Sequence, residues 1–215
     1  MIAYKFRSAA QAQFAFDILL NQRLFCAPLS SLNDPLEGVF GIVSSAGGPS
    51  SDKHFRDIRA AMKSYRICSL SADFQSHLLW AHYAGGFDGM AIELELPDAD
   101  PLIQRVSYRG VFGMLCASEI SSPDQAARDV LFLKYDEWSY EREVRVLTDQ
   151  TYYQLPRPVR RIVVGHRMSL ALQEALFLLC QRQGIGFFRV GIGDEGLDAD
   201  TVRPDEFEAR RRGGH

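Results

Sequence analysis

The ten residues Trp138-Ser139-Tyr140-Glu141-Arg142-Glu143-Val144-Arg145-Val146-Leu147 constrain this chain more than any other stretch. They read as a strand, and strand side chains alternate faces, so Glu141, Glu143 and Arg145 share one side while Arg142, Val144 and Val146 share the other. One side is charged; the other turns apolar after its first residue. Such a strand either lies at a sheet edge with its charges in water, where they deter edge-to-edge pairing, or presents a carboxylate pair at the mouth of a cleft. Trp138 and Tyr140 favour the cleft, because an exposed edge has no use for two rings beside its acids, whereas aromatic rings wall a pocket for a flat ligand.

The 215 residues, 47% of them hydrophobic, suffice for one α+β domain over 1–205, followed by a basic, flexible tail over 206–215. A formal charge of −3 supplies no global basic field for non-specific nucleic-acid binding. Cys26, Cys68, Cys116 and Cys180 are widely spaced and no paired histidines accompany them, so no metal centre is expected and the thiols read as small buried hydrophobes. Residues 1–7 lack the apolar run of a signal peptide and no later stretch reaches membrane-spanning length, which points to a cytoplasmic setting with no membrane partner.

In chain order, Ile2–Arg7 alternates as a first strand, and Ser8 caps a helix striped by Phe14, Ile18 and Leu19 up to about Asn21. A short strand at 24–27 runs into Asn33-Asp34-Pro35, a turn in which the proline biases Asp34 to extended backbone, with Glu37 at the lip of a site. A strand over 39–43, a mobile loop over 44–51 and a helix over about 52–65 follow. Arg66–Ser71 is a buried strand whose Ser69 and Ser71 face together, either because small hydroxyls let a ligand approach or because they form a turn. Residues 77–83 form a short helix with Trp80 and His82 as packing residues, and Met90–Leu96 alternates cleanly, which turns Glu93 and Glu95 to water. A strand at 105–108, a helix over 123–135, a strand at 161–165, a helix over 170–183 and a last strand over 186–192 complete the chain.

Gly191-Ile192-Gly193-Asp194-Glu195-Gly196 spells a dinucleotide fingerprint, but that motif needs a helix to begin at its glycines. Leu197-Asp198-Ala199-Asp200 follows instead, so an acidic turn is expected. The signatures of phosphate loops, serine-hydrolase elbows and zinc proteases are absent from the sequence as well.

Tyr4-Lys5-Phe6-Arg7, Asn33-Asp34-Pro35-Leu36-Glu37, Ser69-Leu70-Ser71, Trp80-Ala81-His82-Tyr83, Gly89-Met90-Ala91-Ile92-Glu93 and the segment from Lys134 to Arg145 resemble, in that order, the bacterial domain of unknown function family 2971. That resemblance implies no activity. A more distant one does: a cationic first strand, a Ser-x-Ser strand and a Glu-x-Glu strand are similar to the mono-ADP-ribosyltransferase fold, with Lys5 or Arg7 where many members carry His. It implies that Arg7 or Lys5 holds NAD, that Ser69, Ser71 and Tyr83 line the nicotinamide pocket, and that Glu143 is the catalytic acid with Glu141 positioning an acceptor. Asn33, Asp34, Glu37, Trp80, His82, Trp138, Tyr140 and Arg145 would support that site.

The expectation is therefore an α+β fold of the ADP-ribosyltransferase kind, a bent mixed or mainly antiparallel sheet with surrounding helices. Its function would be NAD-dependent cleavage of the nicotinamide N-glycosidic bond, with a protein or nucleic acid as acceptor. Two other classes fit the residues. One is a non-catalytic binding module with Trp80, Tyr83, Trp138 and Tyr140 as its aromatic surface. The other is a metal-dependent nucleic-acid enzyme that uses Asp34, Glu37, Glu141 and Glu143.

Overall fold

Short apolar runs separated by Gly, Pro and Asx residues give many brief strands, and a computed structural model of the chain describes them over residues 1–43, 51–110, 113–194 and 196–207. The first half comprises β1 (Ile2–Arg7), α1 (Ala12–Asn21), β2 (Arg23–Phe25), β3 (Ala27–Pro28), β4 (Phe40–Val43), α2 (Ser51–Met62), β5 (Arg66–Ser71), α3 (His77–Tyr83) and β6 (Met90–Glu95). Then come β7 (Ile103–Arg105), β8 (Ser107–Arg109), β9 (Gly113–Cys116), α4 (Pro123–Leu131), β10 (Leu133–Tyr135), β11 (Glu143–Thr148) and β12 (Tyr152–Gln154). The last elements are β13 (Arg161–Val164), α5 (Leu170–Gln183), β14 (Gly186–Gly193) and β15 (Gly196–Thr201). The fold is α+β, with mixed, mostly antiparallel sheet and surrounding helices. Among the described residues no helix is long and apolar enough to cross a membrane.

The chain forms two compact units: one contains Met1–Arg23, Ser71–Pro97 and the residues from Gln154 onward, the other Leu24–Leu70 and Asp98–Tyr153. In the first, strands run in the order β15-β14-β13-β6-β1. Only β13 and β14 are parallel, and α5 makes the crossover that a parallel pair requires. Ser169 caps α5 by accepting from Leu172 N–H, and Gly184 ends it at φ +70°, a conformation open to glycine without penalty. Trp80, wholly buried, stacks on Phe87 at 5.4 Å, meets Phe6 edge-on at 5.5 Å, and donates from Nε1 to the Phe74 carbonyl. In the second unit β3 pairs β5, β5 neighbours β11, and β11 pairs β7, while β8/β10 and β4/β9 form parallel pairs. Ile58 and Met62 of α2, Ala127, Val130 and Leu131 of α4, and Ile67 and Leu147 of the strands form its core.

Several expectations change here. Ser8 makes no side-chain cap; a 3₁₀ turn over Ala9–Gln11 delays α1 to Ala12. The helix expected over 123–135 begins there, capped by Ser122 accepting from Gln125 N–H ahead of Pro123, but it stops at Leu131. Phe132 closes it and residues 133–135 turn into β10, since Leu133-Lys134-Tyr135 gains a partner in β8. Trp138, Tyr140 and Glu141 lie in a 3₁₀ helix over Asp136–Glu141, not a strand, and Arg142 at φ +44° reverses the chain into β11. Glu93 is not on a wet face: β6 has neighbours on both sides and Glu93 is buried. The glycine-rich motif at 191–196 sits at a hairpin with strands on either side, so no helix begins there; β15 follows, with Leu197 turned inward and Asp198 outward. Glu206 and Phe207, expected in the tail, belong to a helical turn over 204–207 in which Phe207 is buried against Phe177. The loop expected at 44–51 falls, apart from Ser51, outside the described residues, as does the tail from 208.

Trp80→Ala removes a fully enclosed indole and is expected to cost about 3–5 kcal/mol in urea unfolding; a loss below about 1 kcal/mol would show that Trp80 is not the anchor of this core.

Candidate functional site

Arg145 is 0% exposed, the largest polar side chain in the interior of its unit. A guanidinium withdrawn from water is costly unless its donors are met, and here they are. Nε donates to Glu143 Oε1 at 2.7 Å, Nη2 to Glu143 Oε2 at 3.0 Å and to Glu37 Oε1 at 2.6 Å, and Nη1 to the Leu131 carbonyl at 2.6 Å. The last acceptor exists because α4 ends at Leu131 and leaves its final carbonyls without helical partners.

Lys134, 8% exposed, completes the cluster from β10. Its Nζ lies 2.6 Å from Glu141 Oε2, 3.1 Å from Glu143 Oε2 and 3.5 Å from Glu37 Oε1, and 5.0 Å from the Trp138 ring centre. The left-handed turn at Arg142 lets Glu141 at the end of the 3₁₀ helix and Glu143 at the start of β11 reach the same ammonium. The Ser69 hydroxyl helps to lower the proton affinity of the Glu143 carboxylate, and the Glu143 N–H donates to the Tyr108 hydroxyl at 2.7 Å. The Trp138 and Tyr140 rings stand 6.1 Å apart. Glu37 arrives through the Asn-Asp-Pro turn, where Asp34 Oδ1 accepts from Leu36 N–H and the Asp34 carbonyl from Glu37 N–H.

The two carboxylates on Arg145 are driven apart in proton affinity. Burial alone pushes Glu143 up, but Arg145, Lys134 and the Ser69 hydroxyl together outweigh it and hold the group at about 2. Burial also pushes Glu37 up, and there the Arg145 and Lys134 attractions do not recover it, with the Glu143 charge adding to the rise. Its second oxygen, Oε2, is buried with no hydrogen-bond partner among the described residues. Burial and the Glu143 charge raise Tyr108 to about 12, so it stays a neutral phenol. The pairs among Glu37, Glu141, Glu143, Lys134 and Arg145 set three negative against two positive groups, an excess of one negative charge when all are ionised.

Of the residues singled out from sequence, Glu37, Ser69, Trp138, Tyr140, Glu141, Glu143 and Arg145 come together in this unit, with Asp34 shaping the turn that delivers Glu37. Lys5, Arg7, Ser71, Trp80, His82 and Tyr83 are residues of the other unit. Arg7 lies over the Phe14 ring at 5.7 Å, Ser71 Oγ donates to the Asp73 carbonyl and accepts its N–H, and His82 is exposed. Trp80 is fully buried, so it contributes nothing to an aromatic surface. Among the described residues no three His, Cys, Asp or Glu side chains are grouped to hold a metal ion. The acids Glu37, Glu141 and Glu143 meet the chain's own cations instead. Lys134 and Tyr108 are the participants that sequence reading does not assign to the site: the sequence predicts a helix running through Lys134, and only the stop at Leu131 turns it toward Glu143. No family model, curated protein or solved structure matches the chain.

Arg145→Leu strands two buried carboxylates and is expected to cost about 3–5 kcal/mol in urea unfolding. The folded Glu143 lies below its ordinary 4.5, so the stability it contributes is present above pH 4.5 and disappears as pH falls toward 2, by about 3 kcal/mol. Glu37, raised on folding, works in the opposite sense. Unfolding free energies measured across that range are expected to fall less steeply in Glu143→Gln than in the parent chain.

Proposed function

We propose that the chain is an NAD-consuming enzyme that cleaves the nicotinamide N-glycosidic bond, with the Glu143 cluster facing the ribose. The observation that carries this reading is the pair of carboxylates on one guanidinium, Glu143 held ionised and Glu37 raised. Paired titratable groups pushed in opposite directions are the usual arrangement for glycosyl transfer, in which one carboxylate stabilises charge and the other handles a proton. Support also comes from the adjacency of the Ser-x-Ser strand and the strand that Glu143 begins: β5 neighbours β11, and the Ser69 hydroxyl helps to hold Glu143 ionised, which suits the resemblance to mono-ADP-ribosyltransferases.

In this reading the C1′–N bond breaks with its electron pair leaving on nicotinamide, and positive charge develops on the ribose. The cluster's excess negative charge stabilises it. Both Glu143 oxygens are already engaged, so Glu143 acts as a fixed anion and not as a nucleophile. Water or an acceptor hydroxyl attacks C1′ and yields its proton to Glu37, whose free oxygen and raised proton affinity suit a base. Trp138 and Tyr140 offer aromatic surface for the nicotinamide ring.

Nicotinamide release from NAD by the purified chain tests the proposal. Glu143→Gln is expected to lower turnover roughly 10²–10³-fold. Ser69→Ala, which keeps every ion pair, is expected to lower it less while leaving the unfolding curve near that of the parent. The parent rate is expected to rise with pH through the elevated Glu37 value and to lose that dependence in Glu37→Gln. A chain that neither binds nor cleaves NAD would overturn the reading in favour of a non-catalytic binding module.

A further inference from the structure

A second concentration of charge lies in the other unit, where a cavity of about 650 Å³ opens on one face of the sheet. Strand register explains its lining. Tyr4 stands opposite both Ser71 and Glu93, Glu93 opposite Arg161, and Arg161 opposite Gly186, so one transverse row crosses β1, β6, β13 and β14 with all its side chains on the same face. Glu93 is the row's buried anchor, 4% exposed, accepting from the Tyr4 hydroxyl at 2.8 Å and from Arg161 Nε at 2.6 Å. The Arg161 guanidinium is fixed between two rings, 5.6 Å from the Phe74 centre and 5.1 Å from that of Phe188. Arg160 reaches over the same carboxylate at 3.8 Å and keeps a side chain that is 53% exposed. The row then ends on Gly186, where a Cβ would lie 2.9 Å from the Phe188 ring and 3.2 Å from Arg161 Cβ. The Phe188 ring and the Arg161 stem therefore fill the space over Gly186, and the glycine is what lets that ring lie flat on the strand as the floor of the cavity.

We propose that this cavity binds a phosphate monoester carrying a flat ring. Two guanidinium groups face one carboxylate, so the cavity holds an excess positive charge. Guanidinium forks match phosphate oxygens in geometry, and a phosphate presents enough of them for both arginines. Glu93 and the flanking rings hold Arg161 in place before any ligand arrives, which lowers the cost of ordering on binding. The ligand's ring packs on the Phe188 ring where that ring lines the cavity. The volume is that of an ordinary small-molecule site. This site uses none of the residues of the proposed NAD chemistry: Arg160 and Gly186 belong to the unit that does not contain Glu143.

Calorimetric titration of the full chain with phenyl phosphate, inorganic phosphate and benzoate tests the assignment. Saturable one-site binding is expected for phenyl phosphate, with inorganic phosphate and benzoate both weaker. Arg160→Ala, on an exposed side chain, and Gly186→Ala, whose methyl displaces the Phe188 ring, are each expected to weaken phenyl phosphate roughly tenfold. Nicotinamide release assayed on Arg160→Ala is expected to match the parent, so failure of either reading is seen separately. Three results would overturn the proposal: no saturable binding of phenyl phosphate, benzoate binding as tightly, or undiminished affinity in a folded Arg160→Ala chain.

Discussion

A guanidinium with no access to water organises the unit that carries the candidate site. Arg145 needs acceptors on every side, and each acceptor fixes an element of the structure. The Leu131 carbonyl is one because α4 stops there; Glu143 is another because β11 begins there; Glu37 is the third because the turn at Asp34 delivers it. Three carboxylates gathered near one cation would repel one another, and Lys134 on β10 relieves that by touching all three. Helix length, strand start and loop course in this unit are thus tied to one side chain.

How far this was legible depends on the range of the interaction. Alternation within one strand is local, so Met90–Glu95 and Arg66–Ser71 were readable, and Glu143 and Arg145 were correctly paired on one face. Whether that face met water was not readable, because burial is decided by partners far along the chain. Arg145 meets Glu37 across a separation of 108 residues, and nothing near either residue announces the other. The same limit misplaced Glu93, whose alternating strand looks half-wet until neighbours appear on both sides. Lys134 was hidden by helix propensity: Pro123–Leu131 reads on smoothly into Leu133-Lys134-Tyr135, and only a tertiary partner, β8, converts those three residues to strand. β15 was a different failure, since Leu197, Asp198, Ala199 and Asp200 alternate visibly and the acidic residues distracted from the pattern.

The two units solve one problem in related ways. Each buries a glutamate on a strand and neutralises it with an arginine from a strand: Arg145 from the same strand for Glu143, and Arg161 from the adjacent strand for Glu93. The difference lies in exposure. Arg145 is wholly enclosed, so its charge is consumed by internal acceptors, whereas the Arg161 side chain is 28% exposed and the Arg160 side chain more so, leaving positive charge at the surface. One arrangement favours rigid placement of acids and the other favours capture of an anion.

The division of the chain between the units has a consequence for its biosynthesis. One unit is assembled from two separated segments and the other from three, so neither corresponds to an uninterrupted stretch of the gene. Glu37 leaves the ribosome well before Lys134 and Arg145, and until those cations emerge the carboxylate has only solvent for company. The site therefore closes late in translation, after most of the chain that carries it has been made.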